Sequence, residues 1–483
     1  MSVTELVGSA PRRLFAGRPR KSGEWLVIGA VTVAALGFGA FVAWFAARFP
    51  NSELVAFIVL PVAPLLFIAT VVNPLVGALA IVAAFPIGSA AAPVGELRIQ
   101  AVEVAVFVAA LVVMIRRLSV GRTPLPFAGP LGWALALFIW VFITFYAAID
   151  KTAALKALFT LFGGIAAAMV VLAACRRQRD VRVVIGAVVL VGAGIAVTTI
   201  PTLGEIRTEY GGAYITEGRL EEGTFTHPNQ LGAFFALTAP LAASMLLVAR
   251  TRSVQILMGL ALVAILVGLM ATLSRGAWIA TAVAALLMLA RLKEARRLLV
   301  FFAVPTLIVG AFAWSLTPSA AAEFDVVGER AQALTVRSPY DDRDVIYSEA
   351  LREIREEPLL GQGPGAFPIA SRRAVSESAT LSYDHAHNLY LNWGAEAGLI
   401  AVALILGFGV ALFLTALSTS RGARRSGDWR TRILVVGLGA SLLTVAVQGL
   451  FDYVIANPVM HTAVWLVIGA LLAVARGPET AGR

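Results

Sequence analysis

The chain has four histidines, His227, His385, His387 and His461, and each falls where polar sequence meets a long apolar run. His385 and His387 belong to the stretch Tyr383-Asp-His-Ala-His-Asn-Leu-Tyr-Leu-Asn-Trp-Gly-Ala-Glu-Ala-Gly398. An imidazole at the entrance of a helix, beside an acid such as Asp384, has the chemistry of a general base near neutral pH. A plain interfacial histidine is the other reading. On a helix, an i, i+2 pair points to different faces. That spacing argues against a shared metal ion, so no metal site is expected. Glu396 falls about two turns into the following run. It is expected to face the bundle interior, paired with a polar or basic group.

Two further clusters carry arginine. Arg219 lies among Glu217, Glu221 and Glu222 in the turn Gly218 to Leu231. A local ion pair and an anionic ligand are both open for it. In the same turn His227-Pro228-Asn229 reads as a helix start, with Asn229 as the cap. Arg275 lies in Ser274-Arg-Gly-Ala-Trp278, a short break between two apolar runs. It either snorkels to the interface or serves a function, the default reading for a charge held at membrane depth. A guanidinium presents a planar fork that fits phosphate oxygens bidentately. Gly276 allows close approach of another group.

The elements that must position these residues are membrane spans. The chain is 59% hydrophobic and 14% charged, against about 25% charged for soluble proteins. Fourteen apolar segments stand out, at roughly 25–47, 54–72, 75–92, 97–115, 130–149, 153–175, 181–200, 229–249, 254–272, 276–290, 298–316, 387–417, 431–450 and 458–475. About 20 apolar residues cross the hydrocarbon core. Pro86, Pro93 and Glu103 weaken the third and fourth, which makes the expectation twelve to fourteen spans. The first run is longer than a signal-peptide core and lacks a small-residue cleavage site, so no cleaved leader is expected.

Lys/Arg bias orients the chain. With the N-terminal tail (1–24) inside, the inner segments collect Arg116 and Arg117, Arg176 to Arg182, Arg250 and Arg252, Arg291 to Arg297, and Arg421 to Arg432. The C-terminal tail (476–483) then also lies in the cytoplasm, with 25–475 as one polytopic domain. The net charge of +10 is therefore a topology signal spread over short loops, with no nucleic-acid surface implied. The single cysteine, Cys175, excludes an intrachain disulfide and any multi-cysteine metal site. No nucleotide-binding or hydrolase motif of the common kinds occurs, so no cofactor is expected.

Two outer segments, 201–228 and 317–386, are too long to be simple connections. The second contains an expected amphipathic helix starting at Ser338-Pro339. Asp341, Asp342 and Asp344 favour its N-terminus and Arg352 and Arg355 its C-terminus. Val345, Ile346, Ala350, Leu351 and Ile354 form the apolar stripe, and Pro358 with Gly361-Gln-Gly-Pro-Gly365 ends the helix.

Taken in order, these clusters resemble the O-antigen ligase and polymerase superfamily over about residues 215–400. The resemblance rests on Arg219 to Asn229 with its Gly-x-Phe-x-x-Pro-Asn core, on Ser274 to Trp278, on Arg343 followed by Glu356-Glu-Pro-Leu-Leu-Gly-Gln-Gly-Pro-Gly-Ala-Phe367, and on His387-Asn388-x-x-Leu391. It implies an all-α glycosyltransferase bundle (GT-C-like) in the cytoplasmic membrane, capped by an outer loop. The implied donor is an undecaprenyl-diphosphate-linked oligosaccharide, and the acceptor a glycan, lipid or protein hydroxyl. Arg219, Arg275 and Arg343 would bind the diphosphate. His387 would act as base in an inverting, metal-free transfer, supported by His385, Asn388, Asn229 and Glu396. A chain-length regulator or other glycan-assembly proteins are the implied protein partners. Up to fourteen spans, against the usual twelve for ligases, leans toward a polymerase. A small-anion transporter is the rival reading, but transporters place binding groups near the midplane of repeated halves, and no repeat is seen.

Overall fold

The computed structural model describes residues 69–87, 91–94, 97–119, 129–199, 225, 227–272, 274–298, 343–374 and 384–477. Nearly all of the spans expected at 25–47, 54–72 and 298–316 lies outside these residues. So do most of loop 201–228 with Arg219, residues 317–342, and the terminal tails.

Each of the other eleven apolar segments contains a helix. In chain order these are α1 (Pro74–Ala83), α2 (Ala101–Ser119), α3 (Leu131–Phe145), α4 (Lys151–Ala174), α5 (Gln178–Thr199), α6 (Pro228–Val248), α7 (Arg252–Ala271) and α8 (Arg275–Arg291). Two helices of the long loop between α8 and α11 follow, α9 (Arg343–Glu356) and α10 (Phe367–Ala374). Then come α11 (Leu389–Arg425), α12 (Trp429–Gln448) and α13 (Pro458–Arg476). Seven of them, α4 to α7 and α11 to α13, are long and apolar enough to cross a membrane. The chain is an all-α, multi-pass membrane protein.

The segment expected at 75–92 is not a continuous span. α1 has 10 residues, about half of what the hydrocarbon core requires. An antiparallel hairpin follows, Ala91–Val94 (β1) with Leu97–Gln100 (β2). Pro93 cannot continue a helix but is tolerated on an edge strand.

Local chemistry sets where helices begin. Asp150, Thr251, Asn388, Asp428 and Asn457 each accept a backbone N–H in the first turn of the helix that follows. In hydrocarbon an unpaired N–H costs several kcal/mol, so these caps mark where the chain enters the membrane. α6 and α13 are apolar on nearly all sides and lie at the centre, α6 against α12, α7 and α8 and α13 against α4. Pro240 interrupts the α6 ladder, and the Ser441 hydroxyl of α12 donates to the nearby Leu237 carbonyl at 2.6 Å. α7 and α11 are peripheral and expose Leu260, Val410 and Phe413.

The outer-loop helix begins at Arg343 among the described residues, and its buried stripe differs from the expected one. Ile346, Ala350 and Glu353 are buried and Ile354 is partly so, against Phe367, Ala386, Leu391 and Ala395. Val345 and Leu351 are exposed, because each lies one residue off the i, i+4, i+7 face. Arg352 pairs with Glu349 and Glu356 on the outer side.

α11 is broken at Gly398, where φ is 76° and ψ 175°. The break releases main-chain groups that a continuous helix would pair, and the turn after α9 takes them. Gln362 N–H donates to Ala395 O (2.8 Å), Gly363 N–H to Glu396 O (2.9 Å), and Leu399 N–H to Pro358 O (2.8 Å). The first arm of α11 is thereby clamped to the turn after α9.

Gly398 and Gly427 share a left-handed backbone, with φ of 76° and 75°, but not their surroundings. A Cβ on Gly398 would lie 1.8 Å from Leu359 O, whereas one on Gly427 meets nothing within 4 Å. Gly427→Ala should cost only the left-handed penalty of ~1–2 kcal/mol. Gly398→Ala should cost clearly more, because backbone must move. Thermal unfolding of both purified variants checks this, and equal losses would contradict it.

Candidate active site

The starts of α6, α8 and α11 meet the turn between α12 and α13 at one end of the bundle. The His387 side chain reaches that turn because the start of α11 is tied to it by main chain. Asn388 caps α11, its Oδ1 accepting from Tyr390 N–H (2.9 Å) and Leu391 N–H (3.0 Å) while its Nδ2 donates to Leu450 O (3.0 Å). Leu389 N–H donates to Gly449 O at 2.7 Å. From α9, the Tyr347 hydroxyl donates to His387 O at 3.2 Å. These bonds hold His387 at φ +45°, the only positive φ of a non-glycine among the described residues, and such strain concentrates at functional sites.

Asp452 is the residue this tie delivers. Its Oδ1 lies 3.0 Å from His387 Nδ1 and 3.2 Å from His385 Nε2. A carboxylate can only accept, so both imidazoles donate to it. His387 then keeps its Nε2 lone pair available, as a general base requires. Asp452 is 2% exposed. Burial alone would push its carboxyl up, but the bonds from His385 and His387 hold it well below the usual carboxylate range.

His227, not Asn229, caps α6. Its Nδ1 accepts from Asn229 N–H at 3.1 Å, and Pro228 takes the first helical position. Asn229 instead joins three helices. Its Oδ1 accepts from the Ser274 hydroxyl of α8 (2.8 Å), and its carbonyl accepts from Gln448 Nε2 of α12 (3.0 Å). The His227 ring stands 6.3 Å from that of His387, and the His385 ring 4.3 Å from it. Burial lowers the pKa of His227, with Asp452 acting the other way. Because Nδ1 accepts, the neutral ring carries its proton on Nε2 and offers a donor.

His385, His387, Asn388 and Asn229 are thus brought together. Arg275 is the first residue of α8, next to Ser274, and Gly276 packs against Phe451, where a Cβ would stand 3.0 Å from the Phe451 Cβ. Arg343 opens α9 and acts electrostatically on His227. Arg219 lies outside the described residues. Glu396 is placed apart from Asp452: the backbone N–H groups of Gly365 and Phe367 hold its carboxyl, and His385 and Glu353 are titratable groups that act on it. Its bonded partners are polar main-chain groups, and the basic group that acts on it is His385. It supports the clamp beneath the site.

The spacing argument against a shared ion does not survive, because His385 and His387 both precede the helix. Ligand atoms of His385, His387 and Asp452 lie within 4.8 Å of one another, so the three could hold a metal ion together. Their mutual hydrogen bonds also satisfy them without one.

Below the site, an apolar cavity of about 530 Å³ runs between α3, α4, α8, α11, α12 and α13. It extends from Tyr390 beside Asn388 to Arg291 at the far end of α8, walled by residues such as Leu161, Phe413 and Trp465.

Sequence reasoning missed Asp452, a lone acid in a short turn 65 positions from His387. It also misassigned the α6 cap, although Pro228 was a usable signal, since proline favours the first helical position. Residues 260–406 match the O-antigen ligase family. The match runs from α7 into α11 and contains Arg275, His385 and His387 but neither His227 nor Asp452. No curated protein matches the chain.

Two titrations test this geometry. Because the Asp452 pKa is depressed, the stability it contributes is present above the usual carboxylate range and lost only as pH falls through the lowered value. The carboxylate infrared band that Asp452→Asn removes should persist through pH 4. In His385→Ala/His387→Ala burial takes over, and the same band should vanish at higher pH; an unchanged titration would contradict the pairing. Glu353 is fully buried with both carboxyl oxygens unpartnered, and burial, then Glu349, raises its pKa to about 8. Its folded form holds a proton that the unfolded chain loses near 4.5, so stability falls from pH 4.5 to 8. Glu353→Gln should be neutral at pH 4.5 and raise the melting temperature at pH 8. A constant difference across that range would be evidence against a buried acid.

Proposed function

We infer from the match of residues 260–406 to the O-antigen ligase family that the chain belongs to the O-antigen ligase and polymerase superfamily and transfers a glycan from a lipid-linked donor at the outer face of the cytoplasmic membrane. The convergence of His387 and Asp452 beside the α8 start that carries Arg275, above an apolar cavity, carries this reading.

The donor is a glycan on undecaprenyl diphosphate. Its hydrocarbon tail occupies the cavity under Tyr390, and its diphosphate rests among Arg275, Arg343 and, from the other outer loop, Arg219. Guanidinium groups there neutralise the charge that develops on the leaving diphosphate. His387 Nε2 removes the proton from an acceptor hydroxyl on a glycan, lipid or protein. The hydroxyl oxygen then attacks the anomeric carbon from the side opposite the leaving group, and the sugar–phosphate bond breaks with its electron pair going to the diphosphate, inverting the centre. Asp452 stabilises the imidazolium that forms, a role carboxylates play in other catalytic dyads. The sugar–phosphate bond supplies the driving force, and no metal ion or nucleotide is needed. Both termini lie in the cytoplasm, and other glycan-assembly proteins, including a chain-length regulator, are the partners.

The test is complementation of a deletion strain with wild type, Arg275→Ala, His387→Ala or Asp452→Asn, with membrane levels of each matched. Surface glycan and lipid-linked oligosaccharide are resolved by chain length. Loss of the base should lower transfer by about 10²–10⁴-fold. Accumulation of single lipid-linked repeats identifies a polymerase, and accumulation of long unattached chains a ligase. Full complementation by Arg275→Ala and His387→Ala would overturn the site.

A further inference from the structure

The opposite end of the bundle gathers positive charge around one point. Arg179 and Arg182 stand in the first turns of α5. Arg250 precedes α7, and Arg430 is the second residue of α12. Arg179, Arg250 and Arg430 all act electrostatically on Arg182, and Asp428 is the acid that does so. We propose that the converging ends of α5, α7 and α12 form a binding site for the headgroup phosphate of an anionic phospholipid, held by Arg182, Arg250 and Arg430.

Two acids beside these arginines are already committed. Asp428 caps α12, accepting from Thr431 N–H (3.1 Å) and from Gln178 Nε2 of α5 (3.4 Å). Asp180 is buried and accepts the N–H groups of Arg176 and Arg177, each at 3.1 Å. Among the described residues no ion pair joins Arg182, Arg250 or Arg430 to a carboxylate. The Arg430 Nε is buried without a hydrogen-bond partner. Like charges at close range repel, and a shared anion between them turns that repulsion into attraction. The N-termini of α5, α7 and α12 all open here and add partial positive charge. Topological bias explains why arginines are numerous at one end of the spans. It does not require arginines from three helices to converge on one point.

The surroundings favour a lipid over a free anion. The Arg430 guanidinium stacks on Trp429 at 4.6 Å, and Trp429 is exposed, as interfacial tryptophans are. Directly beyond Arg252, α7 exposes Val254, Ile256, Leu257 and Leu260, an apolar surface on which acyl chains can lie while the phosphate meets the arginines.

The experiment uses the full-length protein purified in detergent and titrated with phosphatidylglycerol, phosphatidylcholine or glycerol phosphate, with thermal unfolding as readout. Phosphatidylglycerol should stabilise the protein, and the other two should not. Arg182→Gln/Arg430→Gln should weaken the phosphatidylglycerol effect about thirty-fold, at roughly one surface charge contact per arginine. Arg424→Gln/Arg425→Gln removes equal charge from the same end outside the cluster and should leave the effect intact. Equal behaviour of the two double variants would overturn the site in favour of diffuse surface charge. Stabilisation by glycerol phosphate alone would overturn the lipid assignment. If the first variant does not accumulate, lipids retained by the wild-type protein decide: enrichment in anionic species supports the site, and retention in proportion to the membrane overturns it.

Discussion

One oxygen of Asp452 accepts from both His385 and His387, and much of that end of the bundle is arranged to permit it. A buried carboxylate is costly unless its lone pairs are satisfied. Here two imidazoles on a single strand of chain meet that need, which fixes the turn between α12 and α13 against the start of α11. The same bonds leave Nε2 as the nitrogen of His387 with its lone pair available. Structural satisfaction and chemical readiness therefore come from one contact. The left-handed backbone of His387 is tolerated because Tyr347, Asn388 and Gly449 hold the chain on either side of it.

A hydrocarbon surrounding explains why the polar residues are where they are. Backbone groups must be paired at membrane depth, so donors and acceptors left over concentrate at helix ends, and several helix starts recruit a side chain to cap them. In α6 and α11 those caps are His227 and Asn388, which face the same space as the reactive groups. Capping at this end leads directly into the site: His227 spends Nδ1 on the helix and offers the proton on its other nitrogen. Ser274 bonds Asn229 and so registers α8, with Arg275 as its first residue, against α6.

What could be read from sequence follows the range of each interaction. Long apolar runs are a local signal, so ten of the described helices fall where spans are expected. Caps are local too, but His227 and Asn229 are both able to cap, and only the proline between them discriminates. The segment at 75–92 failed because apolar composition does not separate a span from a short helix followed by a hairpin. The stripe on α9 failed by one residue: Val345 and Leu351 are apolar, yet the buried face admits Glu353 in preference. Asp452 was out of reach because its partnership spans 65 positions and leaves no periodic trace. The reasoning against a shared ion assumed a helix that begins only at Leu389, two residues after the second histidine.

The break at Gly398 divides α11 into a short arm carrying the polar chemistry and a long arm of some 27 residues, at 1.5 Å each about 40 Å. That exceeds the thickness of the hydrocarbon layer, so the long arm must tilt, or run beyond the layer. The short arm is pinned by main-chain bonds to Gln362, Gly363 and Gly449. The bonds that set the register between His387 and Asp452 all lie on the short-arm side of the break, whereas the mismatch with the hydrocarbon layer falls on the long arm.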